Sequence, residues 1–364
     1  MPQFGALSYL RKERHKLHLS LKCLPNGALP YTDDKLPTKM MTKLFEDTPY
    51  LGLFPRVNEH DNLIDMTFEN IPGIKIGPRK IILRSDTTAF ISKFDQMDKV
   101  YNNPSVEGLE EYKTTSFFLE KYLKIIARIK PKETVFSLLG PFTMSQMISI
   151  KDDINPISDK YYRKFLTQAI CLKAMWLISK IKEASPETLP IVLFDEPKFN
   201  QYGMVKKDNE DVTKEVVVHF YSKIFEKLRE YGAAVGVQSF EKCDWQVIME
   251  AAPDLISFDA YNNSYNLNII ADKVNHYLAH GGHINWGMIP VQSENTVKSL
   301  AIDSLYDRFI RTIEALIDSG VSERLAYNRS MVSTQGNIDS LPLIFAEKAL
   351  ILSTQLAKKI PTKS

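Results

Sequence analysis

The sequence predicts an α/β chain closed into a (β/α)8 barrel, and three observations predict it. The run Leu189-Pro190-Ile191-Val192-Leu193-Phe194 is continuously apolar and ends in Asp195-Glu196-Pro197. A short uninterrupted apolar run is the pattern of a strand buried on both faces, and Pro197 cannot donate to a ladder, so pairing stops there. From residue 212 onward, strand-like and helix-like segments alternate regularly, which means parallel strands joined by right-handed crossovers. Lastly, polar groups gather at the strand ends, as they do on the catalytic rim of such barrels. An open doubly wound sheet is the competing architecture.

Taken in order, residues 18–24 form the first strand, followed by the turn-rich Leu24-Pro25-Asn26-Gly27-Ala28-Leu29-Pro30-Tyr31-Thr32-Asp33. Asp33 or Asp34 is placed to cap a helix over 35–46. Residues 51–55 make the second strand. An excursion over 64–84 then interrupts the rhythm: Met66-Thr67-Phe68 and Lys80-Ile81-Ile82-Leu83 flank Pro72-Gly73 and Gly77-Pro78, which reads as a β-hairpin-like insertion. Helices follow over 89–100 and 116–129. The third strand, 134–139, is closed by Gly140-Pro141. A long helix over 159–184 leads to the fourth strand, which ends at Asp195, and 200–208 reads as a polar loop. Beyond it come a helix over 212–231 with Gly232 at its C-terminal end, strand 233–237, helix 244–251, strand 255–258, helix 267–280, strand 284–289, helix 294–319, strand 331–333 and a closing helix over 341–358. The expected organisation is one barrel domain over 1–364 with 64–84 inserted.

The totals narrow the function classes. A net charge of +2 leaves no electrostatic footprint for nucleic acid or a membrane surface. No apolar run approaches the roughly 20 residues that span a bilayer, and the basic N-terminal stretch lacks the apolar core of a signal peptide. Cys23, Cys171 and Cys243 form no C-x-x-C pair, which suits a reducing, cytoplasmic setting. The run Arg11-Lys12-Glu13-Arg14-His15-Lys16 reads as a solvated arm. The apolar excursion suits a lid over the mouth or a homodimer contact; hairpins bury poorly alone, which favours the dimer.

The strand ends carry a resemblance. Gly27-Ala28-Leu29-Pro30-Tyr31-Thr32-Asp33, Gly140-Pro141-Phe142-Thr143, Asp195-Glu196-Pro197, Asp244-Trp245 with Pro253-Asp254-Leu255-Ile256-Ser257-Phe258-Asp259-Ala260-Tyr261, and Trp286-Gly287-Met288-Ile289-Pro290 occur in this order. Together they resemble the catalytic barrel of cobalamin-independent methionine synthase and its short single-barrel relatives, in a superfamily that includes uroporphyrinogen decarboxylase and corrinoid-linked methyltransferases. The resemblance implies a vitamin-B12-independent methyltransferase of methionine biosynthesis, with a zinc-bound thiolate as nucleophile. It also implies that Asp195 meets the amino group of an amino-acid substrate. A folate, or a methylcorrinoid protein as partner, would supply the methyl group.

The chain departs from that pattern where zinc would bind. The matching positions read Gln238, Phe240, Asp259 and Gln335, and only Asp259 is an ordinary zinc ligand. Cys243 with Asp259 would make two ligands, short of the three usual in a catalytic site. His276, His280 and His283 have metal-like spacing, but they fall where a helix ends and a strand begins, on the opposite rim, and read as surface or helix-C-terminal histidines. His60 and His219 have no partner in sequence. The expectation is therefore no metal and no cofactor, with Asp195 and Glu196 as the catalytic pair. Tyr31, Arg56, Gln238, Asp259, Tyr261, Trp286 and Gln335 would bind a small amphoteric ligand such as an amino acid or pterin. Three alternatives stay open: a module that binds a ligand or a corrinoid partner without chemistry, a metal-free lyase resembling uroporphyrinogen decarboxylase, and methyl transfer through a site rebuilt from Cys243 and Asp259.

Overall fold

A computed structural model describes residues 17, 23–25, 27–78, 80–151 and 154–363. Among the described residues there are nine strands, β1 (Ile74–Ile76), β2 (Ile81–Leu83), β3 (Glu133–Leu139), β4 (Ile148–Ser149), β5 (Leu189–Asp195), β6 (Ala234–Ser239), β7 (Leu255–Phe258), β8 (His283–Ile289) and β9 (Ser330–Thr334). Six of them pair in parallel in the order β3-β5-β6-β7-β8-β9. Two short segments close the ring: Cys23 bridges Val332 of β9, Ala28 bridges Leu53, and Tyr50 bridges Val135 of β3, all in parallel. The hydrogen bonds Leu24 N–H to Val332 O at 3.0 Å, Leu29 N–H to Leu53 O at 2.8 Å and Leu51 N–H to Val135 O at 2.9 Å complete the circuit. The result is a parallel α/β barrel of six ladder strands closed by two bridging segments and wrapped by helices, with the six ladder strands largely buried. Of the predicted first strand, only Cys23 and Leu24 fall among the described residues.

Most helices lie where periodicity and capping place them. Asp159 caps Lys160–Ala184 by accepting from the Tyr161 and Tyr162 N–H groups, and Thr213 caps Lys214–Glu230 through Val216 N–H. Four segments differ from the sequence reading. Residues 66–68, expected as strand, belong to the helix Leu63–Phe68. Asn62 caps that helix, accepting from Ile64 and Asp65 N–H, while its amide donates to Asp65 at 2.7 Å. This reciprocal cap outweighs the β-propensity of a three-residue run. Residues 200–208, expected as loop, form the turn Phe199–Gln201 and the helix Tyr202–Asp208. Phe199, Tyr202 and Val205, at i, i+3 and i+6, are the buried side of this element. The expected helices over 267–280 and 294–319 are each broken in two, the second where Ala301 is extended between Glu294–Ser299 and Ile302–Asp318. The helix Glu323–Asn328 is an addition.

The excursion contains an antiparallel hairpin, β1 against β2, with Ile74 opposite Leu83. It does not stand alone, because β2 also pairs in parallel with β4 from the segment after β3. The third strand supplies the support that an isolated hairpin lacks in water. Among the described residues, no helix is long and apolar enough to cross a membrane.

Candidate functional site

At the C-terminal ends of the barrel strands lies a cavity of about 230 Å³, lined by Gly27, Ala28, Leu51, Leu53, Pro55, Asp61, Asn62, Leu63, Ser137, Asp195, Gln238, Asn337 and Asp339. It takes residues from the first two barrel segments, from β3, β5 and β6, and from the loop after β9. A larger open groove of about 530 Å³ lies outside the barrel along the hairpin, lined by Lys80, Arg84, Asp86 and Lys151 among others. Those four side chains are exposed, and Lys151 faces Asp86 at 3.9 Å. The smaller cavity is the candidate site because it stands at the strand ends and contains buried carboxylates.

Asp195 is the last residue of β5, in register with Gln238 of β6, and is 9% exposed. Burial pushes its pKa up to about 6, against the opposing pull of the Gln238 side chain and the Glu196 N–H. Gln238 continues into a buried polar chain across the barrel interior. Ser257 Oγ donates to Gln238 Oε1 at 3.4 Å, and Asn285 Nδ2 donates to Ser257 Oγ and Ser333 Oγ, both at 2.8 Å. Asp61 is 2% exposed. Its Oδ2 accepts the Phe54 N–H at 2.8 Å, which folds the loop after the second segment back on itself, and its Oδ1 has no hydrogen-bond partner. Burial raises its pKa, while the Phe54 N–H, Ser116 and the Phe117 N–H pull the other way. Gly27, at φ +83°, brings its segment so close to the loop after β9 that a Cβ would stand 2.3 Å from Asn337 Oδ1.

Glu196 does not line this cavity. It is fully buried, and its carboxylate accepts the Phe142 N–H at 3.0 Å, the Thr143 N–H at 2.7 Å and the Tyr221 hydroxyl. It thereby holds the start of the helix Pro141–Met147 against β5. Gly140 makes that approach possible: a Cβ there would meet the Glu196 carboxyl at 2.1 Å. Burial dominates and raises the Glu196 pKa to about 7, although Thr143, Tyr221 and the Phe142 N–H all favour the charged form.

The remaining predicted binding residues lie outside the cavity lining. Tyr31 is buried with its hydroxyl on the Met40 sulfur. Arg56 donates to Pro30 O at 3.4 Å and Leu341 O at 3.0 Å, tying two rim loops together. Asp259 caps Ala260–Asn263, accepting from Asn262 N–H at 3.1 Å, and takes further bonds from Asn262 Nδ2, Asn263 Nδ2 and Gln335 Nε2 at 2.8, 3.3 and 3.0 Å. Gln335 also accepts the Val291 N–H at 3.4 Å. The Tyr261 ring lies 3.9 Å from the Arg308 guanidinium. Trp286 is buried, donates to Ser330 Oγ at 2.8 Å and packs on Phe258. The polar cavity residues not singled out from the sequence are Asp61, Asn62, Ser137, Asn337 and Asp339. A signal for Asp61 existed in the acidic stretch Asn58-Glu59-His60-Asp61 directly after a strand end.

Gln238, Phe240, Asp259 and Gln335 do not fit a zinc ion: one carboxylate is present, and amide donors already occupy it. Among the described residues, no three of His, Cys, Asp and Glu are grouped to hold a metal. Cys243 is half-buried beside the Asp244 cap, and burial and the nearby Glu196 charge keep its thiol protonated. His280 Nδ1 donates to His276 O, 2.7 Å away, at the end of Ala271–Ala279. His283, expected at the surface, is buried at the start of β8, with Arg329 at 3.1 Å; the barrel bottom closes over it. His60, without an evident partner in sequence, lies 3.3 Å from Asp65.

No protein-family model matches the chain, and no curated protein matches it. Solved structures do. A B12-independent methionine synthase from Shewanella sp. W3-18-1, in complex with selenomethionine, aligns at TM-score 0.44 and 15% identity over 68% of this chain and 67% of its own. A methyltransferase from Methanosarcina mazei aligns at 0.49 and 12%, over 89% and 86%. A Bacteroidetes-affiliated GH5 cellulase aligns at 0.39 and 8%, over 72% and 82%. At these scores the likenesses bear on neither activity nor ligand.

Proposed function

We propose that this chain is a methyltransferase-type barrel protein that binds a small amino-bearing ligand at the mouth cavity without zinc. Asp195 is the residue that meets the ligand's amino group and exchanges a proton with it. The observation that carries the reading is a buried carboxylate at a strand end, lining a cavity, with its pKa near 6. Such a group changes charge close to neutral pH, as a general acid or base must. Gln238 and its polar chain fix the side chain's surroundings. Glu196, filled by three donors, positions the loop and takes no proton from the ligand. The zinc-free part of the reading is supported by the ligand-poor set Gln238, Phe240, Asp259 and Gln335.

A lyase of the uroporphyrinogen decarboxylase kind is disfavoured. A polycarboxylate needs cations at the mouth; of the two candidates, Arg56 and Lys198, neither lines the cavity, and Arg56 is committed to two backbone carbonyls. A module that binds ligand or a corrinoid partner without turnover predicts the same cavity, and only turnover separates the two. Self-association through the hairpin sheet is a further part of the proposal, read out by sedimentation.

The test is elemental analysis of protein purified without chelator, followed by thermal-shift titration with zinc, amino acids and pterins. Absent zinc, no response to added zinc, and stabilisation by an amino acid or pterin that disappears in Asp195→Asn are the expected results. Stoichiometric zinc lost in Asp259→Ala would sink the reading and restore thiol activation by metal.

A further inference from the structure

Four residues in register across neighbouring strands form one layer at the mouth. Asp195 of β5 pairs with Gln238 of β6, Gln238 with Ser257 of β7, and Ser257 with Asn285 of β8. All four are buried, as is Ser333 of β9. The direction of each hydrogen bond in this layer follows from what each group can donate. The Thr334 carbonyl only accepts, and Ser333 Oγ spends its single proton there at 2.9 Å. Toward Asn285, Ser333 therefore only accepts, and the group that meets it at 2.8 Å is the amide Nδ2. The same Nδ2 donates to Ser257 Oγ at 2.8 Å. That leaves the Ser257 proton for Gln238 Oε1, 3.4 Å away. With Oε1 held on Ser257, the Gln238 amide presents Nε2 to Asp195, where its hydrogen bond favours the charged carboxylate, as an N–H donor does. Reversing the Asn285 amide would strip two buried N–H groups of their acceptors, whereas the present direction leaves one acceptor, Asn285 Oδ1, without a partner.

We propose that Asn285 is a positioning residue: anchored by Ser333 and acting through Ser257, it fixes the Gln238 amide with its N–H toward Asp195. Asn285 itself does not line the cavity. A Gln238 amide free to turn would offer Asp195 its oxygen, which holds a carboxyl group in the protonated form. The Ser257 proton on Oε1 prevents that turn. The cavity wall is thereby biased toward an ionised acceptor, the partner that an ammonium group binds most strongly. This consequence for the ligand rests on the reading above that Asp195 meets an amino group. The other titratable groups near Asp195 are Asp61 and Asp339 on the cavity lining and Glu196 next in the chain, and the test leaves all three unaltered.

The test is the titration of Asp195 in the ligand-free full chain, followed by carbon-13 NMR of labelled aspartate and assigned by the signal that Asp195→Asn removes. Ser257→Ala takes away the proton on Gln238 Oε1, and Asn285→Leu takes away the group that directs it. Each is expected to raise the midpoint by roughly 1 pH unit, the scale of one donor lost from a carboxylate. Ser257→Thr keeps the hydroxyl and is expected to keep the unaltered midpoint. A merely structural role would lower the melting temperature of the first two variants and leave the midpoint in place; that result, or a midpoint that moves down, overturns the proposal. Should both variants fail to fold, the unaltered chain decides. Its Gln238 side-chain N–H signals, assigned by their loss in Gln238→Met, are expected to shift through the same midpoint as Asp195, and signals that ignore it overturn the proposal. A titration that responds as expected, in a chain that binds no amino acid or pterin, sustains the positioning and overturns the proposed function. An unresponsive titration in a chain that binds one does the reverse.

Discussion

Asp195 and Glu196 are adjacent carboxylates at the end of one strand, yet they occupy opposite situations. Strand alternation turns them to opposite faces. Asp195 lines the mouth cavity, with Gln238 and the Glu196 N–H beside it. Glu196 is sealed behind the strand, and its oxygens are filled by Phe142 N–H, Thr143 N–H and Tyr221. Burial raises both pKa values, so the shift alone does not distinguish a working acid from a structural one. What distinguishes them is where the acceptor capacity goes. A carboxylate whose lone pairs are spent on fixed donors holds the fold, and one that opens on a cavity is available to a ligand.

The largest effect should come from breaking the sealed side. Glu196→Ala leaves two buried N–H groups and a buried hydroxyl without their acceptor, at about 1–3 kcal/mol for each group. The expected outcome is a chain that is marginal or unfolded by circular dichroism at 25 °C. Asp195→Asn, one residue away, should keep its melting temperature within a few degrees of the unaltered chain and lose ligand binding. Equal stability of the two variants would erase the distinction drawn between them.

The pH dependence sharpens the same comparison. Both folded-state values lie above those of the unfolded chain, so the folded protein holds these protons more tightly. The associated stability is fully present below about pH 4 and is lost as pH rises through about 6 for Asp195 and about 7 for Glu196. The contribution of these two groups therefore lowers the melting temperature between pH 5 and pH 8. Asp195→Asn should remove the earlier part of that fall, and Glu196→Gln the later part. A melting profile for Asp195→Asn that runs parallel to the unaltered chain across pH 5 to 8 would mean that Asp195 is not buried as described.

The barrel was legible because its strands announce themselves. Leu189–Asp195 is a continuous apolar run with a proline stop, and Leu255–Phe258 falls where the alternation puts it. The site was legible only in part. Asp195 and Gln238 were found because they end strands, and strand ends converge on one rim. Asp259 and Gln335 also adjoin strand ends, but their side chains are spent on a helix cap and on each other, and Trp286, in the middle of β8, is spent on Ser330. Sequence gives the rim and not the direction in which each group points. Asp61 and Asp339 were missed because they lie on loops, whose paths the alternation of strands and helices does not fix. Asp61 is brought inward by one bond to Phe54 N–H, and no local pattern encodes that bond.

The cavity's own wall offers a smaller effect. Gly27 combines φ +83° with an approach to Asn337 that leaves no room for a Cβ. Gly27→Ala should cost about 1–2 kcal/mol from the left-handed backbone alone, with further loss where Asn337 is displaced. Because both residues line the cavity, ligand affinity should fall together with stability, as followed by denaturant melts and calorimetry on the same sample. A loss of stability with affinity unchanged would place the ligand away from this wall.

The smallest effect belongs to Asp259, the one carboxylate at a position matching a zinc ligand. Its oxygens serve the cap of Ala260–Asn263 and three side-chain amides. Asp259→Ala should therefore behave as the loss of a helix cap, about 1 kcal/mol, with ligand affinity unaltered because Asp259 does not line the cavity. The pairing with Asp195→Asn is what gives this variant its force. One acid is expected to change binding with little change in stability, and the other to change stability with no change in binding. A reversal, in which Asp259→Ala abolishes binding while Asp195→Asn does not, would move the site from the β5–β6 side of the mouth to the β7–β9 side and bring the chain back toward the metal-dependent pattern that its motifs resemble.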